Sequence, residues 1–276
     1  MTRNLRVAAV QLCCGIDAAE NRAAATPLLR AAAADGAQLI VTPENSLRLD
    51  SNRPRMLEAV SSPTNATELA AWADLARELH VWLLLGSGGV LAEPGKVFNR
   101  SSLFSPDGST AAQYDKIHLF DVQLGNGESY RESAVVRPGT QAVVAVGPDD
   151  VKIGMTVCYD LRFASLYGAL ARAGVEVISI PAAFTYTTGR AHWETLVRAR
   201  AIETGAFVVA PAQGGVHDGG RETWGHSMIV NPWGEVLACL EHRDPGYIVA
   251  DLDLDQVAQA RAKIPAWSGS PGFTGP

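Results

Sequence analysis

The feature that most constrains this chain is an alternation of short, β-branched apolar runs with longer amphipathic segments over most of its length. Runs such as "LRVAAVQL" (5–12), "QLIVT" (38–42), "VWLLLG" (81–86), "VKIGMTV" (151–157) and "VEVISI" (175–180) read as strands. Further strands are expected at 99–105, 111–115, 142–147, 206–210, 226–231, 235–240 and 247–252. Helices are expected at 17–35, 65–80, 162–173, 190–204 and 254–263, the first alanine-rich and stopping at Asp35-Gly36. Strands interleaved with helices imply α/β architecture. A dozen strands against five helices are too many for one doubly wound sheet, so two packed sheets are expected.

No low-complexity linker or short-period repeat interrupts the pattern, and 276 residues suffice for one large domain. The expected organisation is a single domain over 1–265 followed by a Gly/Pro-rich tail over 266–276, "AWSGSPGFTGP". The longest turn-rich stretch, 121–140, reads as a surface loop of the kind that lines sites.

Charge narrows the partners. Hydrophobic residues make up 47% of the chain and charged residues 19%, with a net charge of −6 and no Lys/Arg run. That argues against nucleic acid and anionic membrane as partners, and leaves apolar surface for a subunit contact. No apolar stretch reaches the length of a membrane span, and "MTRNLRVAAVQL" leads straight into a strand-like run without the segment of a signal peptide. A cytoplasmic location is expected. The four cysteines, Cys13, Cys14, Cys158 and Cys239, form no C-x-x-C and suggest neither a disulfide framework nor a zinc site. Six scattered histidines form no metal-like cluster, and nucleophile-elbow, phosphate-loop, dinucleotide and zinc-protease motifs are missing.

Three stretches place a reactive side chain at the end of an apolar strand: Glu44 in "LIVTPENS", Lys116 in "QYDKIHLF" and Cys158 in "GMTVCYDLRF". Ligands of open α/β sheets bind just outside the carboxyl ends of strands, so the three could share a pocket. Their chemistry is complementary. A carboxylate in an apolar site can deprotonate a thiol. A thiol of pKa about 8.5 becomes a nucleophile beside such a base or a cation. A lysine ammonium, with the Tyr159 backbone N–H, can hold an oxyanion. Each residue also has a plain alternative: Glu44 as a loop or capping carboxylate, Lys116 as a solvated lysine, Cys158 as core filler. Spacing alone leaves these open.

The wording of the motifs goes further. "TPEN", "YDKIHLFD", "VCYDLRF", "PAAFTYTTGRAHWETLVRARAIE" and "WGHSMIVNPWGEVLA" resemble the carbon–nitrogen hydrolase (nitrilase) superfamily, in the family's order across roughly residues 5–265. The resemblance implies a four-layer αββα sandwich with two stacked mixed sheets, and assembly as a homodimer or higher homo-oligomer. It implies a catalytic triad of Glu44 as general base, Lys116 as oxyanion stabiliser and Cys158 as nucleophile. A second site glutamate matches Glu132, with Glu128 four residues earlier as the competing assignment. No metal or organic cofactor is implied. Asp160 and Arg162 are candidate substrate contacts or, alternatively, a charge pair that holds the helix entrance beside Cys158. Phe184, Thr185 and Tyr186 are further substrate-contact candidates, and His192 and Arg198, which could reach the pocket, are expected instead in a structural helix with its charges in salt bridges and in the subunit contact.

Within the superfamily the wording is nearest the small Nit-type amidases. The implied reaction is cleavage of a small carboxylate-bearing amide through a cysteine thioester with release of ammonia, most like a deaminated-glutathione amidase. An ω-amidase acting on 2-oxoglutaramate-type amides, an N-carbamoyl amidohydrolase, a soluble acyltransferase and a non-catalytic nitrilase-like scaffold are the alternatives. An anionic substrate would need local cations at the pocket mouth, for which Arg48, Arg131, Arg162 and Arg190 are available. The C-terminal "KIPAWSGSPGFTGP" departs from the family, which tends to carry basic residues after the corresponding proline.

Overall fold

The chain builds two similar sheets in succession, and its last strand returns to the first. The computed structural model describes residues 3–125, 127–269 and 275. The first half contributes β1 (Asn4–Gln11), β2 (Leu39–Val41), β3 (Trp82–Glu93), β4 (Lys96–Phe104) and β5 (Thr110–Asp115), then a small hairpin of β6 (Asp121–Gln123) and β7 (Ser129–Arg131). The second half contributes β8 (Val143–Val146), β9 (Lys152–Met155), β10 (Val177–Ser179), β11 (Phe207–Ala210), a hairpin of β12 (Gly214–Val216) and β13 (Glu222–Trp224), and then β14 (Met228–Val230), β15 (Val236–Cys239) and β16 (Gly246–Asp253). The helices are α1 (Ala18–Ala34), α2 (Arg53–Ser61), α3 (Pro63–Leu79), α4 (Ala164–Arg172), α5 (Tyr186–Thr204) and α6 (Asp255–Lys263).

The two large sheets run β16-β1-β2-β3-β4-β5 and β15-β14-β11-β10-β9-β8. Each has a parallel trio at its centre, β1-β2-β3 and β9-β10-β11, flanked by antiparallel strands. Period-two alternation makes both faces of the first sheet apolar. Val7, Ala9 and Leu84 point into a core shared with Ile153, Met155 and Val177 of the second sheet. Ala8, Val10, Leu83 and Leu85 point the other way, against Leu29 of α1 and Trp72 and Leu75 of α3. The outer face of the second sheet is covered by α4 and α5 through Leu170, Trp193 and Val197. These are the four layers αββα.

Local signals explain where the helices differ from expectation. Asn52 accepts the Arg55 N–H at 3.1 Å and starts α2, a helix that the sparse apolar pattern of 53–61 conceals. Ser62 closes α2 and caps α3, with Pro63 at its first position. Thr185 accepts the Thr188 N–H, so α5 begins at Tyr186, one turn earlier than its periodicity suggests. The helix expected over 162–173 is split into a 3₁₀ turn, Cys158–Arg162, and α4. The expected loop 121–140 holds the β6–β7 hairpin and a 3₁₀ turn at Glu132–Ala134. These two strands, three residues each and polar, carry no apolar run to mark them. Of the expected tail, Pro265–Ser268 forms a 3₁₀ turn, while 270–274 and 276 lie outside the described residues. No helix among the described residues is long and apolar enough to cross a membrane.

Candidate active site

The ends of β2, β5 and β9 meet at one end of the sandwich, two from the first sheet and one from the second. Glu44 follows β2, Lys116 is the first residue after β5, and Cys158 follows β9 at the first position of its 3₁₀ turn. Their exposures are only 2%, 2% and 6%. They open on a cavity of about 310 Å³, within the range of small-molecule sites.

Backbone contacts fix each residue. The Gln213 side-chain amide donates to the Glu44 carbonyl at 3.0 Å, and the next residue, Asn45, adopts φ +61° and donates its N–H to Ser87 Oγ at 2.8 Å. A Cβ at Gly86 would collide with the Thr42 and Pro43 carbonyl groups, so β3 supports the Glu44 loop through bare backbone. Cys158 itself has φ +49°, in the left-handed region that costs an L-residue about 1–3 kcal/mol. Its N–H donates to the Pro181 carbonyl at 2.8 Å, which ties the turn to the end of β10.

Asp160 holds the turn from inside. Its fully buried carboxylate accepts from the Val157 N–H at 2.9 Å, the Tyr114 hydroxyl at 2.7 Å and the His118 N–H at 3.0 Å, and lies 2.7 Å from His118 Nδ1. The expected Asp160–Arg162 charge pair does not form. Asp160 is turned inward to these donors, while the Arg162 guanidinium lies over the Tyr159 and Phe184 rings at 5.9 and 5.3 Å and reaches His192 Nδ1 at 3.3 Å.

The charges form a chain. Lys116 Nζ donates to Glu44 Oε1 at 2.8 Å and to the two Glu132 oxygens at 3.1 and 2.9 Å. Asn99 Nδ2 bridges Glu44 and Glu132 at 2.9 and 3.2 Å, and the Phe120 N–H donates to Glu132 at 2.6 Å. Glu132 therefore joins the cluster, whereas Glu128 accepts from Thr187 at 3.4 Å. Burial pushes the Glu44 carboxyl up, but the Lys116 ammonium and hydrogen bonds from Lys116 and the Cys158 thiol bring it below the usual carboxylate range. Burial depresses Lys116, yet Glu132 and Glu44 hold it well above its ordinary value. Burial and the Glu44 charge keep the Cys158 thiol well above the ordinary range, against the opposing pull of Lys116. The resting cluster is thus carboxylate, ammonium and neutral thiol.

The other candidates divide. Arg162, Phe184 and Tyr159 line the cavity, as do Arg48 and Arg131. Thr185, Tyr186 and Arg190 are not among the described residues lining it. Thr185 is occupied as the cap of α5, and the Tyr186 ring packs edge-on against Trp224. Arg198 pairs with Glu194 at 3.2 Å and donates to the Gly234 carbonyl, consistent with a structural helix. Two participants escape a reading of the sequence, Asn99 and Arg221, the latter donating to the Ala183 carbonyl at 2.8 Å and lining the cavity, and for Asp160 the sequence conceals the partners. Asn99 is a polar residue inside a strand run, and Arg221 follows a Gly-Gly turn, neither signal specific. Among the described residues no cluster of three or more His, Cys, Asp or Glu could hold a metal ion, and all four cysteines are free.

The carbon–nitrogen hydrolase family model matches residues 6–262. A deaminated glutathione amidase of Synechocystis is 38% identical over 262 residues, covering 94% of this chain and 95% of that protein. A deaminated glutathione amidase of Yersinia enterocolitica is 41% identical over 238 residues, 85% of this chain and 82% of that protein. The crystal structure of the C. elegans NitFhit protein superposes with a TM-score of 0.90 at 32% identity, covering 98% of this chain and 65% of that chain.

Proposed function

The chain belongs to the carbon–nitrogen hydrolase family and is an amidase, and from that premise we propose that it hydrolyses a small carboxylate-bearing amide of the deaminated glutathione type through Cys158, Glu44 and Lys116. The observation that carries this reading is the buried Lys116–Glu44 ion pair at 2.8 Å, set with Cys158 in the wall of one cavity.

Because the thiol rests protonated, the nucleophile forms only as it attacks. Glu44 takes the Cys158 proton while sulfur bonds to the amide carbon, and the carbonyl electron pair moves onto oxygen. Lys116, kept as an ammonium by two carboxylates, and the Tyr159 N–H hold that oxyanion. Tyr159 is the second residue of its 3₁₀ turn, so its N–H has no acceptor within the turn. Glu44 then passes the proton to the departing nitrogen, leaving a thioester. A primary amide releases ammonia. The γ-amide of deaminated glutathione instead releases the amine of cysteinylglycine. Water, deprotonated by Glu44, hydrolyses the thioester and returns the thiol. Glu132 and Asn99 position Lys116 and Glu44. No step calls for a metal or organic cofactor.

Reduced cysteines suit a cytoplasmic setting, and association into a homo-oligomer is proposed from the family resemblance. The test is turnover of a panel comprising deaminated glutathione, 2-oxoglutaramate, an N-carbamoyl amino acid and a simple nitrile, followed by release of the acid product. Deaminated glutathione is expected to lead, with Cys158→Ala folded and inactive. Turnover that persists in Cys158→Ala would remove the thioester mechanism, and a lead by 2-oxoglutaramate would move the protein to the ω-amidases.

A further inference from the structure

The cavity wall carries unused hydrogen-bonding capacity of two kinds, the amide acceptors Asn65 Oδ1 and Asn99 Oδ1 and two arginine donors. Arg48 Nη1 and Arg221 Nε are buried with no partner among the described residues, and both side chains line the cavity. Each is otherwise held. Arg48 Nε donates to the Ile16 carbonyl at 2.7 Å. Arg221 Nη2 donates to the Ala183 carbonyl at 2.8 Å, and its guanidinium lies 5.5 Å from the Tyr130 ring centroid. Leaving an arginine N–H desolvated without an acceptor is costly, and a carboxylate is the acceptor its geometry fits best.

The local charge points the same way. Lys116, Arg48, Arg53, Arg131, Arg162 and Arg221 line the cavity, against the carboxylates of Glu44, Asp50 and Glu132. Lys116 is taken up by Glu44 and Glu132, and Asp50 by Arg55 at 2.7 Å. The uncommitted charge is therefore positive, in a protein whose net charge is −6. Arg221 also sits beside the reacting groups. The residue whose carbonyl anchors it, Ala183, lines the same cavity as Cys158 and Glu44.

We propose that Arg221 and Arg48 form the carboxylate-recognition subsite of the cavity, receiving the anionic end of the substrate through the unpartnered Nε and Nη1 groups. This rests on the amidase reading above and names the residues that make the substrate class anionic. It assigns the subsite to a Gly-Gly-Arg turn before β13 and to the loop after β2, elements from opposite halves of the chain.

The test compares two amides of similar length, glutaramate with its terminal carboxylate and neutral pentanamide. The wild-type enzyme is expected to favour glutaramate in kcat/KM. Arg221→Gln lowers that preference at least about tenfold, the size of one charge-assisted hydrogen bond, chiefly through KM. Arg221→Lys restores part of it, and Arg48→Gln lowers it independently. A purely structural role would depress both substrates together and leave the ratio unmoved. Ratios within about twofold of wild type in both glutamine variants would overturn the subsite. Calorimetry of glutarate binding to the Cys158→Ala protein, with and without Arg221→Gln, separates the two readings. Arginine-dependent glutarate binding without hydrolysis of any amide keeps the subsite and removes the amidase assignment. Hydrolysis with unaltered ratio and glutarate affinity does the reverse, and neither hydrolysis nor binding removes both.

Discussion

The Tyr114 hydroxyl donates to the fully buried carboxylate of Asp160 at 2.7 Å, joining the strand that leads to Lys116 with the turn that begins at Cys158. Because the same carboxylate also accepts the His118 and Val157 N–H groups, it sets the distance between the two sheets where the proposed lysine and thiol must meet. An amide cannot accept from all of these donors. Asp160→Asn is therefore expected to cost about 2–4 kcal/mol of stability. It should also lower kcat about a hundredfold through misplacement of Cys158, although Asp160 reaches no substrate. Chemical denaturation and steady-state kinetics on the folded variant check both; a full rate with lowered stability would make Asp160 purely structural.

Lys116 faces two carboxylates, so its removal has two separable effects. Lys116→Met should lose at least about a hundredfold in rate for want of the oxyanion donor. It should also lose about 3–5 kcal/mol of stability, because Glu44 and Glu132 are left without their counter-charge. Adding Glu132→Gln to Lys116→Met should recover part of the stability and none of the rate. Recovery of rate in the double variant would show that Lys116 serves only to neutralise charge.

The directions of the shifts fix the shape of the pH profile. Glu44 titrates below 4.5, the ordinary glutamate value, despite its burial, because Lys116 and the Cys158 thiol stabilise its charged form. The charged, competent form thus persists as pH falls until that depressed value is reached, and the acid limb of kcat/KM should lie below 4.5. The same sign governs stability: the contribution of Glu44 is complete above its unfolded-state pKa and is lost as pH falls through the folded one. On the alkaline side, Lys116 and Cys158 are both raised, so no limb from either should enter below their ordinary values. A limb near neutrality in kcat/KM, with the fold intact by circular dichroism, would mean that another group controls the rate.

Much of this was legible in the sequence, for identifiable reasons. Strands β1, β3, β9 and β10 lie in double-covered sheets, so their runs are largely apolar and mark themselves. The ends of β2, β5 and β9 are where polarity returns abruptly, which exposes Glu44, Lys116 and Cys158 as candidates. Partners set by tertiary packing were not legible. Asp160 and Arg162 stand two apart in the sequence, but one is drawn into the core by Tyr114 and His118 and the other onto aromatic faces. Thr185 offered a hydroxyl beside the expected pocket, and the first turn of α5 claims it. Arg221 sits in a short Gly-rich connection, and only the fold of β12 and β13 carries it to the cavity.

Gly86 supplies a test of how tightly the Glu44 loop is held. Its N–H donates to Thr42 Oγ1 at 3.0 Å, and a Cβ there would meet the Thr42 and Pro43 carbonyl groups, which are backbone and cannot swing aside. Gly86 has no positive φ, so its requirement is for space rather than for a left-handed conformation. Gly86→Ala must therefore displace the Thr42–Glu44 segment or part β2 from β3 at the site end, and about 1–3 kcal/mol of destabilisation is expected from such overpacking. Moving Glu44 also lengthens its contacts with Lys116 and Asn99, so kcat should fall well beyond what the stability change explains. Gly95, in the β3–β4 turn, has open space around its Cβ position but φ +80°, and Gly95→Ala provides the control. That variant should lose stability through backbone strain while kcat stays close to wild type. If Gly86→Ala kept full activity, or if Gly95→Ala lost as much, the close approach of β3 would not be what positions the carboxylate.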